Sequence, residues 1–525
     1  MVKIAETCLN VLYQHGLSSA QFQYCFERAK RDLLADEAAS TAIVAEVVQS
    51  MDNHPDAATL LGLLLDEARM GIENDSPYGK AFLENAEKAI KAHIAADAFE
   101  PLHRLKIAGL YRRAGLPVPD ALMLDPEGES AAVEVAMPDL DGALAVLAAA
   151  VEAEGGGAYE FFSGLDEMTA GMPEDVKAGF IHHLMSLDNP FLERCALYWL
   201  VSGAALTREA VAAGLRERLM RGELAPETLS YLPIIRGWLP ASTARAAIDD
   251  ISKLARRQGF ADVSNQNRAE PILSDIMATT ADGVGAQGLT IVGKLQAQTQ
   301  AQTFVAMILL KTGYGIKDAF VIRCRSKREA SNIVSYARQE ANSVRIDRMT
   351  AELLLEAALA DGIENGHPPA PGFIDVIEAC NLSQLRPQER DLQALLDHVD
   401  PQKEIQNATA AQLDRMLRNE SALDALVPFT DSWFEDTGET RGIIQGSRSA
   451  RTVEKRIWAF LEGRRDIWAR RFLQTAIILK SAKKERMSKA LAAAAFALMH
   501  KHPLQDIPLV EDIVMTTLDA GGGPL

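Results

Sequence analysis

Cysteine is scarce and unpatterned in this sequence. Five residues, Cys8, Cys25, Cys195, Cys324 and Cys380, are scattered over 525 positions, and no CxxC occurs. An odd number at irregular spacing excludes a disulfide framework or a zinc ribbon and fits reduced thiols in a cytosolic protein. Long apolar runs are missing as well. The longest, Ala143–Val151 and Ala490–Met499, fall well short of the roughly 20 residues that cross a bilayer. The opening MVKIAETCLNVLYQHG carries Lys3 and Glu6 where a signal peptide has its apolar core. A cytoplasmic protein with no membrane segment is expected. Aromatic residues make up 6% of the chain, while alanine and leucine abound. Alternating apolar–polar patterns and Asn-Gly hairpin signals are almost absent. Side chains that lose little freedom in a helix therefore dominate, and the expected fold is all-α.

Positive charge is also in deficit. The net charge is −18, from 72 Asp and Glu against 54 Lys and Arg. A field of that sign opposes general affinity for nucleic acid or anionic membranes. Its distribution is uneven. Arg441–Lys489 holds fourteen Lys and Arg against four Asp and Glu, a local +10 that leaves −28 for the rest. A second basic region, Lys311–Arg348, holds nine against four.

A chain of 525 residues exceeds one ordinary core and implies several units. Residues 1–116 have the three- and four-residue apolar steps of a helical unit. Residues 117–142 contain Pro117, Pro119, Pro126 and Pro138 among several acids and read as a linker. Residues 143–280 read as helical hairpins. Within them Trp199-Leu200 and Trp238-Leu239 recur at a HEAT-like offset, with Thr207 and Ser242 or Thr243 as caps. Residues 281–360 combine a turn rich in Gly and Gln with a basic helical unit, including a helix through Lys294–Lys311. Ala319–Arg325 is the one stretch that suits a strand as well as a buried helix. Residues 361–372 form a second Pro/Gly linker, 373–518 a C-terminal helical unit, and 519–525 a disordered tail.

Chemical signatures are sparse. Gly288–Leu295 matches the GxxxxGK of a phosphate loop. Leu295 stands where magnesium needs a hydroxyl, the interior is bulky, and no apolar strand precedes it. A Gly-rich turn is expected there, with no hydrolysis of ATP or GTP. His182, His183, Asp188, Glu193 and Cys195 are metal-ligand types, but adjacent helical histidines point about 100° apart. Cys324 lies among Arg323, Arg325, Lys327 and Arg328, which favour a thiolate if the sulfur is exposed; a buried thiol beside Val321 and Ile322 is the plainer expectation. No catalytic constellation, cofactor or metal is implied, and the balance leans away from an enzyme.

The basic helices remain. Val453, Ile457, Phe460 and Leu461 form one apolar stripe, and Trp468, Phe472, Thr475, Ala476 and Leu479 another. Trp468 is therefore expected in the core. Arg464, Arg465 and Arg471 flank that stripe, Arg470, Lys480 and Lys484 fall on the opposite side, and these six are the candidate binding residues. Their partners are expected to be carboxylates, from this chain or from an acidic protein, more than phosphates. The leading functional expectation is a non-enzymatic scaffold or macromolecule-binding protein presenting a helical surface. A nucleic-acid-associated factor using residues 311–348 and 441–489 is the alternative, and an enzyme with a site assembled from distant residues the third.

Overall fold

The computed structural model describes residues 2–16, 19–50, 56–73, 77–96, 101–124, 140–153, 156–187, 189, 191–260, 271–295, 302–340, 342–446 and 449–520. Residues 125–139 of the expected first linker, residue 188 and residues 521–525 of the tail lie outside them. Among the described residues the chain is mostly helical, but it is not all-α. A five-stranded antiparallel sheet occupies its middle, which corrects the all-α expectation. No helix of the described residues is long and apolar enough to cross a membrane.

The chain divides into two compact units, Met1–Ala196 with Gly203–Glu223 and Leu197–Ser202 with Leu224–Leu525. The first unit begins with helices Val2–His15, Ala20–Ala35, Glu37–Ser50, Asp56–Glu73, Pro77–Ala95 and Pro101–Arg113. Their starts follow local chemistry. Ser19 accepts the Phe22 N–H at 3.1 Å, and Asp36 accepts the Ala38 N–H at 2.7 Å, satisfying donors that a helix start leaves open. Leu60, Leu61, Leu64, Leu65 and Ala68 are wholly buried, an apolar stripe at helical steps that packs with Phe22, Ile43, Val47, Phe82 and Ile90. Helices Ala158–Met168, Glu174–Leu184 and Ala205–Arg221 belong to the same unit. Here buried charge is compensated in place. Asp166 accepts from Lys177 at 2.9 Å and from Arg112. Thr207, read as a helix cap, is instead wholly buried inside its helix, where its hydroxyl donates to Glu174 at 2.8 Å.

In the second unit, helices Pro226–Trp238 and Thr243–Arg257 precede the sheet, and Ser242 caps the latter by accepting the Arg245 N–H at 3.3 Å. The strands are β1 (Ile272–Ala278), β2 (Ala286–Leu295), β3 (Gln302–Lys311), β4 (Gly315–Cys324) and the short β5 (Val344–Arg345), in the spatial order β4-β3-β2-β1-β5. The expected helix through Lys294–Lys311 is replaced by the end of β2 and the whole of β3, and residues 296–301 are outside the description. The GxxxxGK stretch is extended along β2, with Gly288 opposite Leu309 and Lys294 opposite Thr303. Its backbone N–H groups lie in the sheet plane and form no loop around a phosphate.

Why this segment folds as sheet is visible in β3. Phe304, Ala306, Ile308 and Leu310 are buried on one face, while Val305 is buried on the other. Val305, Cys324 and Ala330 form a small core with Ile322, Ile333 and Val334, which helix Lys327–Glu340 closes. Apolar residues on both faces erase the alternation expected of a half-exposed strand. Ala319–Arg325, the stretch that suited a strand, lies for the most part in β4.

Helices Arg348–Glu364 and Phe373–Cys380 pack against β4. The first approaches the β3–β4 turn so closely that a Cβ on Gly315 (φ +74°) would sit 2.5 Å from the Ala358 carbonyl oxygen. The stretch 361–372, read as a linker, returns to that turn: the Ala370 N–H donates to Ile316 O at 2.9 Å, and His367 stacks on Tyr314 with ring centres 4.8 Å apart. Beyond it, helices Leu392–Val399, Ala410–Leu417, Glu420–Thr430, Gly438–Gln445, Ala450–Glu462, Arg465–Ser481, Glu485–Met499 and Pro508–Ala520 share one core. Its centre is the alanine-rich Glu485–Met499 helix against Arg465–Ser481. Small side chains allow close approach there, and the buried Ser488 hydroxyl donates to Ala476 O at 2.7 Å.

Candidate functional site

Helix Arg465–Ser481 carries most of the basic candidates, and its packing determines what they touch. Trp468 is buried against Phe472 and Trp433, with Trp433–Phe472 ring centres 5.2 Å apart. Arg464 grips Glu435 with two hydrogen bonds of 2.9 and 3.0 Å, and Glu435 is itself buried. Arg465 pairs with Glu462 at 2.7 Å and donates to His502 O at 2.8 Å. Lys480 donates to Val399 O at 2.6 Å, and the Lys484 ammonium lies 5.6 Å from the centre of the Phe429 ring. Arg470 donates to Arg390 O at 2.9 Å, and Arg471 to Gly283 O at 2.8 Å.

Arg470 and Arg471 differ from Arg464 and Arg465 in lacking a carboxylate. Among the described residues none lies within ion-pair distance of either. Both line a cleft of about 640 Å³. Its walls are the turns at the ends of β2 and β3 (Gly285, Lys311, Thr312), helix Arg348–Glu364 (Leu354, Ala358, Asp361), the segment Glu389–Gln393, and helix Arg465–Ser481 itself (Asp466, Ile467, Gln474). The two basic regions meet here through Lys311, Arg470 and Arg471. Gly285, at φ +79°, makes room: a Cβ there would come 2.4 Å from Thr312 Oγ1 and 3.6 Å from Arg471 Nη2.

The electrostatics are two-sided. Arg471 is 6% exposed. Burial pulls its guanidinium down to about 10, with Glu435 and Asp282 pulling the other way, so it stays charged at neutral pH. It also lies over the Trp468 ring, 4.4 Å from the ring centre, a favourable place for a cation. On the helix Arg348–Glu364 wall, burial raises the Asp361 carboxyl above its ordinary value, although it accepts the Gly313 N–H at 2.7 Å and feels Arg470. Lys311, Arg390, Arg470 and Arg471 are matched by Asp361, Glu364, Glu389, Asp391 and Asp466, so acids outnumber cations five to four along the lining. Asp361 and Arg390 were not legible as site residues. Asp361 sits in what reads as a linker, and Arg390 lies in an unpatterned RPQERD.

The other candidates do not assemble. His182 Nε2 lies 3.3 Å from Glu217, Cys195 is buried near Ala158 O, and residue 188 is outside the description. Among the described residues no group of three His, Cys, Asp or Glu side chains is placed to hold a metal. Cys324 is 4% exposed, and burial, with Glu329 nearby, raises its thiol above the ordinary value despite the arginines beside it in sequence.

Four family models match successive parts of the chain. They are the "Uncharacterised protein y4lR N-terminal domain" over residues 2–119, the "Y4lR second domain" over 173–259, the "Domain of unknown function (DUF7401)" over 268–393, and the "Y4lR C-terminal helical domain" over 393–521. The DUF7401 match contains the whole sheet, and the C-terminal match contains helix Arg465–Ser481. No solved structure matches the chain. The "Uncharacterized protein y4lR" of Sinorhizobium fredii (strain NBRC 101917 / NGR234) is 90% identical over 523 residues, covering 100% of this chain and 99% of that protein. At that identity and coverage, the chain belongs to the y4lR family.

Proposed function

We propose that the protein is a non-enzymatic binding protein that receives an acidic segment of another protein in the cleft of its second unit. One observation carries this reading: Arg471 is a buried cation on the cleft wall whose hydrogen bond goes to a carbonyl and not to a carboxylate. A desolvated guanidinium that feels Glu435 and Asp282 only at a distance is costly, and an incoming carboxylate supplies the matching two-pronged acceptor. The opposite wall fits the same class of ligand. An extended peptide has backbone N–H groups for Asp361 and Glu389 beside an acidic side chain for Arg470 and Arg471. A nucleic-acid strand fits less well, because its phosphodiester backbone is charged at every residue and has no N–H groups to offer the five carboxylates of the lining, whereas a peptide backbone has them.

Fluorescence anisotropy with a labelled Glu-Ala repeat peptide and a neutral Gln-Ala control tests the proposal. The acidic peptide should bind more tightly, and Arg471→Met should weaken it at least tenfold while retaining the apolar stem. Equal affinity for the two peptides, or an unchanged affinity in the variant, sinks the reading. Duplex DNA bound at submicromolar affinity in about 0.15 M salt, with a steep salt slope that flattens when Arg464, Arg465, Arg470 and Arg471 are replaced, puts the nucleic-acid alternative in its place.

A further inference from the structure

The first two helices bring two cysteines together. Cys8, on helix Val2–His15, is wholly buried, and Cys25, on helix Ala20–Ala35, is partly exposed. Their sulfurs are 3.4 Å apart. Seventeen positions separate them in sequence, and the spacing shows no redox motif. Cys195 and Cys324 each approach a backbone carbonyl, and Cys380 is buried. Only Cys8 and Cys25 combine contact with partial access, among the described residues.

We propose that Cys8 and Cys25 are a thiol–disulfide exchange site, and that a small-molecule disulfide such as oxidised glutathione converts them to an intramolecular disulfide between the first two helices. The order of steps follows from access. Cys25 reacts first: its thiolate attacks one sulfur of glutathione disulfide, the glutathione S–S bond breaks, and one glutathione leaves as thiolate. The Cys8 sulfur then attacks the Cys25 sulfur, breaks the mixed disulfide and expels the second glutathione. The two cysteine protons end on the two glutathione thiols. The protein pair is oxidised by two electrons, and glutathione disulfide is reduced by two.

The 3.4 Å contact between the sulfurs serves the second step. Its thiol is pushed up to about 12 by burial, then by the hydrogen bond and the charge of Cys25. Conversion of Cys25 to a mixed disulfide removes the last two causes and leaves the electrophile in contact with Cys8. Burial, the largest cause, remains; it shields Cys8 from other oxidants, and the contact with the Cys25 sulfur is what lets it react.

The full chain, incubated with oxidised glutathione and mapped by peptide mass spectrometry, decides the matter. The wild-type protein should lose two hydrogens, located to a Cys8–Cys25 crosslink, and keep no glutathione. Its thermal midpoint should rise and return on reduction. Cys8→Ala should hold one glutathione stably on Cys25, and Cys25→Ala should leave Cys8 unmodified. The wild-type result stands without the variants, so a poorly folding variant does not protect the proposal. Glutathione retained on wild-type Cys25, or both thiols still open to alkylation after the incubation, overturns it.

Discussion

The Trp468 indole N–H donates to the Glu435 carboxylate at 2.9 Å, and both side chains are buried. Arg464 clamps both oxygens of the same carboxylate. One acid thus holds the loop at residue 435 to the start of helix Arg465–Ser481. Trp468→Ala removes the aromatic contacts with Trp433 and Phe472 and should cost about 3–5 kcal/mol. Arg470→Ala, which loses a hydrogen bond at a half-buried position, should lower the thermal midpoint much less. Equal losses in the two variants would mean that Trp468 is not an anchor of this core.

Asp166 links the stability of the first unit to pH. Burial alone raises its carboxyl, but Arg112 and Lys177 outweigh burial and hold it below its ordinary value. The depressed value stabilises the fold above about pH 4, and the contribution is lost as pH falls through the lower folded value. Asp166→Asn leaves two cations facing a neutral group and should cost about 3–5 kcal/mol near pH 7. The gap between variant and wild type should narrow as pH falls through the depressed folded value. Denaturant titrations of both proteins over an acid pH series measure it.

Asp361 has the opposite sign. Its raised carboxyl means that the folded chain binds its proton more readily than the unfolded chain does. Stability is then lost as pH rises from about 4 through the raised value. Asp361→Asn keeps an oxygen for the Gly313 N–H and removes the charge, so its thermal midpoint should exceed that of wild type at pH 7 and match it near pH 4. A variant less stable than wild type at pH 7 would show that the charge contributes more through Arg470 than burial costs it.

The β3–β4 turn separates backbone strain from steric clash. Gly313 (φ +81°) has open space where a Cβ would go, whereas the Cβ of a residue at 315 would meet Ala358 O at 2.5 Å. Gly313→Ala should cost about 1–2 kcal/mol from its left-handed conformation alone. Gly315→Ala should cost clearly more, because helix Arg348–Glu364 must withdraw, and it should weaken peptide binding in the cleft. Similar midpoints for the two variants would mean that the helix yields freely.

Legibility in the sequence followed the range of the interactions. The stripe of Trp468, Phe472, Thr475, Ala476 and Leu479 announces a buried helix face because a helix repeats within a few residues. The Ser242 cap is equally local. Strand β3 is not legible because both of its faces are apolar at one end, and a fully covered strand and a buried helix then share one pattern. Strand β2 is hidden because its glycines and glutamine read as a turn, while its pairing with β3 is a contact between separate segments.

By itself, then, the sequence determined the helical bulk of the chain, the burial of Trp468 and the charge segregation, all of which follow from composition and short-range periodicity. Only the tertiary structure decided that residues 272–345 contain a sheet, that Asp361 faces Arg470 and Arg471 across a cleft, and that Cys8 touches Cys25. The physical reason is that strand pairing and cleft assembly join groups far apart in the chain, and no local period encodes which distant partner closes the contact.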